Sequence, residues 1–215
     1  MKQFIIFDLD GTLLNTIADL AQSTNHALCK LGFPVHPEDS YHLMVGNGIN
    51  KLFERALPEN EKTEANILRL RSEFIPHYNE HNTDKTNPYP GIVELLQALQ
   101  ERGKQIGVAS NKYHAATQKL ILHYFPAINF TAVLGQQEGV APKPNPAIVY
   151  KLIQTAEVSK DEVLYVGDSG VDMQTAKNSG VTSCGVTWGF RPRAELEEYY
   201  PDFMVSEARE ILELV

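Results

Sequence analysis

Apolar positions follow two rhythms along the chain. Five short runs, "QFIIF" at 3–7, "QIGVAS" at 105–110, "FTAVLG" at 130–135, "EVLYVG" at 162–167 and "TSCGVT" at 182–187, are largely continuous rather than alternating. That is the pattern of strands covered on both faces of a parallel sheet. Between and beside them lie segments of helical period: "IVELLQALQERG" ending in Gly103, "HAATQKLILHYF" stopped by Pro126, "PAIVYKLIQTA", and "VDMQTAKNSG" ending in Gly180. Glycine or proline at these ends is a helix stop signal. The alternation from residue 91 onward predicts an α/β fold, a doubly wound parallel sheet with a Rossmann-like core, whose ligands bind beyond the carboxyl ends of the strands.

Residues 16–86 break the alternation. "IADLAQSTNHALCKLG", "GINKLFERAL" and "KTEANILRLRSEFIPHYNEHN" are helical in period with no convincing strand among them. They stand between the first and second strands, where a crossover of a dozen or so residues would suffice. The excess predicts an inserted helical domain over 16–86, with residues 1–15 and 87–215 forming the α/β core. The junctions "LLNT" and "TNPYPG" have the composition of hinges.

Charge narrows the function classes. The chain has 215 residues and a formal net charge of −8, so a nucleic-acid backbone or an anionic membrane is repelled and neither is expected as a partner. An anionic substrate must be met by a few placed cations or a metal. The only cysteines, Cys29 and Cys184, are far apart and form no CxxC, which predicts two reduced core thiols in a cytoplasmic protein. The opening "MKQFIIFDLD" reaches acidic residues after four consecutive apolar positions, which suits neither a signal peptide nor a membrane span. Oligomeric state is not legible.

Four short stretches fall at strand ends or in the loops after them: "FDLDGT", Ser110–Asn111, "KPNP" with Lys143, and "GDSGVD". Together they place hard oxygen ligands (Asp8, Asp168 and Asp172), a cation (Lys143), a hydroxyl (Ser110) and the backbone amides around Leu9 to Gly11 in one crevice. Carboxylates for Mg²⁺ beside donors for an anion describe a phosphoryl-transfer site, with phosphate contacts expected from Leu9, Gly11, Ser110, Asn111 and Lys143. Residues two apart on an extended chain face the same side, so Asp8 and Asp10 can approach one phosphorus atom together. Asp8, ending the apolar run, is the expected nucleophile, and Asp10 the expected acid/base. The plain alternatives are an Asp-Gly turn, or a calcium loop, which wants its glycine sixth rather than fourth as Gly11 stands.

"DLDGTLLNT", "SN", "KP" and "GDSGVD", in order over the whole chain, resemble the four signature motifs of the haloacid dehalogenase-like hydrolases. The resemblance implies Asp8 as nucleophile and metal ligand, Asp10 as acid/base with its carbonyl on Mg²⁺, and Ser110 and Lys143 on the transferring phosphoryl group. It implies Asp168 as a metal ligand, Asp172 in or just behind the metal shell, and the 16–86 insert as a helical cap that closes over the crevice. Asp10 is present where the dehalogenases lack it, which disfavours dehalogenation.

Within the family, "VGNG" at 45–48, "ERAL" at 54–57, "SNK" at 110–112 and "GVAPKPNP" are most similar to phosphoglycolate phosphatases. The expected reaction is therefore Mg²⁺-dependent hydrolysis of a small phosphorylated metabolite, 2-phosphoglycolate first. Asn15 in "LNT" is also similar to the family's inorganic pyrophosphatases, and a sugar phosphatase or phosphomutase is a further alternative. A phospho-aspartate signalling switch is the alternative of a different class, against which the helical insert argues. Gly46, Asn47, Gly48, Arg55 and Lys112 are candidate substrate contacts, with Arg55, Lys112 and His114 candidates for a substrate carboxylate. His77 and His81, one helical turn apart, lack an evident third zinc ligand and are expected on a solvated face. Trp188 or Arg191 of "WGFRP" either lines the crevice or packs a loop.

Overall fold

The computed structural model describes residues 1–215. Four apolar residues form β1 (Phe4–Phe7), and the chain then turns into a two-residue strand, β2 (Leu14–Asn15). Helices α1 (Ile17–Lys30), α2 (Tyr41–Met44), α3 (Ile49–Ala56) and α4 (Glu64–His81) follow, and β3 (Asn87–Pro88) returns antiparallel to β2. Beyond it come α5 (Ile92–Glu101), β4 (Gln105–Tyr113), α6 (His114–Tyr124), β5 (Ala132–Gln136) and α7 (Ala147–Ala156). The chain ends through β6 (Val163–Gly167), α8 (Gly170–Ser179), β7 (Thr182–Val186), α9 (Arg193–Glu197) and β8 (Phe203–Val205).

Six of these strands make one sheet in the order β5-β4-β1-β6-β7-β8, every neighbouring pair parallel. The fold is thus the doubly wound α/β arrangement expected. β1 lies inside the sheet, which is why its four residues are all apolar and fully buried. Its side chains alternate between two cores. Ile5 and Phe7 pack with Leu95, Leu96 and Leu99 of α5 and Leu120 of α6 on one face, whereas Phe4 and Ile6 pack with Val149 and Leu152 of α7 and Ala176 of α8 on the other.

The helices from α1 to α4 share a third cluster. Ile17, Leu20, Ala21, Ala27 and Leu28 recur on one face of α1 and meet Leu52 and Phe53 of α3 and Leu70, Phe74 and Tyr78 of α4. From the sheet-bearing part of the chain, buried Ala116 and Phe190 join this cluster and half-buried Tyr113 packs against it. At the return junction buried Asp19 accepts hydrogen bonds from Lys85 N, Thr86 N and Thr86 Oγ1 at 2.7–3.1 Å, so one α1 carboxylate fixes the segment that leads back to the sheet.

Three expectations need correction. The sheet has a sixth strand, β8, absent from the hydrophobic pattern because only three residues form it and the first is exposed. β4 does not stop at Ser110–Asn111 but runs on to Tyr113 through a register shift between Ala109 and Tyr113, so the motif sits at an irregularity within the strand. Both cysteines are free, but only Cys184 is a core thiol; Cys29 is exposed on α1. No helix is long and apolar enough to cross a membrane.

Candidate active site

Asp8 follows directly on β1, and its position between β4 and β6 gives it neighbours from both. From the loop before α7, Lys143 directs Nζ to 2.9 Å from Asp8 Oδ1, 2.7 Å from Asp172 Oδ1, 2.9 Å from the Ala109 carbonyl and 3.1 Å from Tyr165 Oη. Asp172, in the first turn of α8, also accepts from Ser169 in a capping box, so one carboxylate both stabilises the helix start and anchors the lysine. Asp168, at the turn after β6, receives Thr12 Oγ1 at 3.2 Å and the Phe190 backbone N–H at 2.7 Å.

Carboxylate oxygens of Asp8, Asp168 and Asp172 lie within 4.8 Å of one another, all buried. Three carboxylates around one ammonium leave two negative charges unmatched away from water. Burial pushes the Asp8 carboxyl up, with Asp172 and Asp10 adding to the rise and Lys143 opposing it. Burial likewise pushes Asp168 well above the usual carboxylate range, reinforced by Asp172 and Asp8. Burial pulls the Lys143 ammonium down, but Asp172 and Asp8 outweigh it and hold the group well above the ordinary lysine value. Although Lys143 is close to Asp8 Oδ1, it lies off the hydrogen-bonding direction, and that buried oxygen has no hydrogen-bond partner. An oxygen donor set, excess negative charge and an orphaned carboxylate oxygen fit a hard divalent cation.

Glycine is required where the loops cross this cluster. Gly11 has φ +90°, and a Cβ there would run into the Asp168 carboxylate. A Cβ on Gly189 would strike both Asp168 and the Gly11 carbonyl, so the "WGF" turn can cover Asp168 only with a bare backbone.

Asp10 has different company. Thr16 Oγ1 donates to its Oδ1 at 2.7 Å, and Lys112 Nζ stands 3.0 and 3.1 Å from its two oxygens. Both Asp8 and Asp10 line a cavity of about 50 Å³ together with Ser110, Asn111, Lys112 and Tyr113 of β4. Its remaining wall comes from the helical insert: Leu20, Val45, Gly46, Gly48, Ile49, Leu52, Phe74 and Tyr78. The two acids therefore do share one chamber. Tyr78 Oη, fully buried in that wall, has no hydrogen-bond partner.

Not every candidate reaches the chamber. Ser110 does, and Asn111 lines it too, but the Asn111 amide is occupied as a brace: it accepts from Lys143 N at 2.8 Å and donates to the Lys143 and Gly46 carbonyls at 3.1 Å. Leu9 is fully buried in the core under the loop. Asn47 and Arg55 lie in a separate depression, where Arg55 donates to Met44 O and Asn47 Oδ1. Arg191 holds the same loop from the other side through the Leu43 and Val45 carbonyls, and Trp188 Nε1 donates to Thr12 O. His114 points away, accepting from Gly135 N. His77 is stacked on His26 with ring centroids 4.0 Å apart and His81 lies 4.4 Å from His77, so the pair belongs to a half-buried histidine stack rather than a freely solvated face.

Thr12, Thr16, Tyr165 and the Phe190 amide are absent from the sequence-based site. A backbone donor leaves no residue signature, but the hydroxyls of "DGTLLNT" lay beside the motif and could have been read as its supports.

Residues 5–186 match the haloacid dehalogenase-like hydrolase family. The chain belongs to that family. It is 37% identical over 212 residues to the phosphoglycolate phosphatase of Agrobacterium fabrum, covering 96% of this chain and 89% of the relative. It is 32% identical over 219 residues to that of Mannheimia succiniciproducens, covering 99% and 98%. Among solved structures, a provisionally named phosphoglycolate phosphatase from Lactobacillus delbrueckii subsp. bulgaricus superposes with a TM-score of 0.93 at 31% identity, covering 100% of this chain and 98% of that one. As a family member the protein is a hydrolase, and the residues that resemble its motifs converge from the end of β1, the irregular part of β4, the loop before α7 and the turn after β6.

Proposed function

We propose that this hydrolase is a Mg²⁺-dependent phosphatase of small phosphomonoesters, 2-phosphoglycolate first, acting through an aspartyl-phosphate on Asp8. In this reading residues 16–86 work as a cap over a core formed by 1–15 and 87–215. The observation that carries it is the buried cluster of Asp8, Asp168 and Asp172, with Lys143 paired to Asp8 and Asp172, from which Asp8 opens onto a chamber also lined by Asp10 and Ser110.

Asp8, with Asp168 and the Asp10 carbonyl, would hold the metal, whose bound charge would let a carboxylate approach a phosphate dianion. Lys143 and the Ser110 hydroxyl bind and orient the phosphoryl oxygens. An Asp8 oxygen attacks phosphorus as the ester P–O bond breaks, and Asp10 gives its proton to the departing oxygen. Water then attacks the same phosphorus, Asp10 takes its proton, and the Asp8–phosphorus bond breaks to release phosphate.

Size and polarity support the small substrate. A cavity of about 50 Å³ has room for roughly four waters, since each needs about 10–15 Å³ on this measure. A chamber of that size favours a small ester over a bulky one. Apart from Lys112, the wall opposite the acids is apolar, which suits a methylene and a carboxylate better than a second phosphate. Phosphate release from 2-phosphoglycolate, pyrophosphate and glucose 6-phosphate, with Mg²⁺ and with chelator, tests the reading. Phosphoglycolate should be turned over fastest and only with metal; preferential pyrophosphate or sugar-phosphate hydrolysis contradicts the substrate, and no metal-dependent hydrolysis contradicts the activity.

A further inference from the structure

Lys112 has a place that phosphoryl transfer does not explain. It follows Ser110–Asn111 in the irregular part of β4, is 7% exposed, and its ammonium is clamped between the Asp10 carboxylate and the face of Tyr78, 4.7 Å from the ring centroid. Burying an ammonium is costly unless a carboxylate accompanies it, and Asp10 fills that need here. Lys143 already serves the phosphoryl position, and it reaches Asp8 and Asp172 rather than this side of the chamber.

The rest of the wall sharpens the question. Lys112 is the sole cation among the residues lining the cavity; Leu20, Val45, Ile49, Leu52 and Phe74 supply no polar side chain. Arg55 and Arg191, the other arginines nearby, are engaged by carbonyls of the loop at 43–47 and stand outside the chamber. The non-reacting end of a bound ester therefore meets one desolvated ammonium in an apolar setting, beside a Tyr78 hydroxyl without a partner.

We propose that Lys112 is the specificity-determining residue, and that its ammonium exchanges Asp10 for a carboxylate on the non-reacting end of the substrate. The substrates it selects are phosphate esters of short 2-hydroxy carboxylates, in which the carboxylate is joined to the ester-bearing carbon. This rests on the phosphatase reading above. One carboxylate replaces another in the exchange, so the ammonium never goes without a counter-charge. A neutral-ended ester offers nothing in return for Asp10, and a second phosphate brings more charge than one ammonium matches.

The test compares kcat/KM for 2-phosphoglycolate and for 2-hydroxyethyl phosphate, esters of equal length that differ in carboxylate against hydroxymethyl. The wild type should favour phosphoglycolate by about 10- to 100-fold, the worth of one charge-assisted hydrogen bond. Lys112→Met should collapse that ratio to about one, chiefly through KM for phosphoglycolate, and Lys112→Arg should restore most of it. Any effect of the replacement on Asp10 falls on both esters and cancels in the ratio. Thermal melts check folding, with Lys112→Gln as a second charge-removing variant. A wild type that hydrolyses both esters equally, or a Lys112→Met ratio unchanged from wild type, overturns the Lys112 assignment and leaves the phosphatase reading standing. Hydrolysis of neither ester takes down both.

Discussion

Asp8 and Asp10 stand one residue apart, yet the fold gives them separate partners: Lys143 for the first, Lys112 and Thr16 for the second. In the proposed reaction, that division lets one act as nucleophile while the other handles a proton. Asp8→Asn should lower turnover by at least about 10³-fold on every substrate, as loss of a covalent nucleophile does. Its metal-free melting temperature should equal or exceed that of wild type, because burial already disfavours the Asp8 carboxylate and Lys143 keeps Asp172. A large fall in that temperature would mean that Asp8 is structural. Gly11→Ala should displace Asp168, since its Cβ has no room and φ is +90°. Isothermal titration with Mg²⁺ should show about 10- to 100-fold weaker binding, the usual penalty for disturbing a ligand's supports; unchanged affinity would separate Asp168 from the metal. The convergence of Asp8, Asp168 and Lys143 was legible in the sequence because each sits in a motif just after a strand or in the loop that follows one. The Lys112–Asp10 pair was not, since nothing local marks a contact across the chain, nor was the Phe190 amide, which any residue type could supply.

At the level of elements, the continuous apolar runs revealed the buried parallel strands, and the helical periods revealed the helices between β2 and β3. β8 escaped because a three-residue edge strand with its first residue exposed has too little pattern to read. The bulge in β4 escaped because register depends on the partner β5, which the chain reaches only after α6. The prolines and glycine of "TNPYPG" marked a break before α5, but the anchoring of that segment by Asp19 was not readable. Asp19→Ala would leave the buried Thr86 N–H without an acceptor, a loss of about 1–3 kcal/mol. At roughly 2–4 °C per kcal/mol for a chain of this size, the melting temperature should fall by about 2–12 °C. A change within 1 °C or so would show that the return segment is held by packing alone.

For the molecule as a whole, a net charge of −8 and a buried carboxylate cluster make a divalent cation the natural counterweight. Mg²⁺ at about 100 times its dissociation constant should stabilise the fold by about 2.7 kcal/mol. The corresponding rise in melting temperature, about 5–10 °C, should vanish with chelator and in Asp168→Asn; an equal rise in that variant would place the metal elsewhere. The parts of the molecule also meet at the candidate site: the sheet and the loops after its strands supply the acids and Lys143, while residues 16–86 supply most of the apolar wall of the chamber. The proposed reaction turns on a covalent bond at Asp8. Rapid acid quench during the first turnover of 2-phosphoglycolate, followed by peptide mass spectrometry, examines that bond. A phosphoryl group on Asp8, formed and lost at rates that account for steady-state turnover, is expected. Turnover with no phosphorylated peptide under any quench time, or with the group on Asp10 instead, would contradict it.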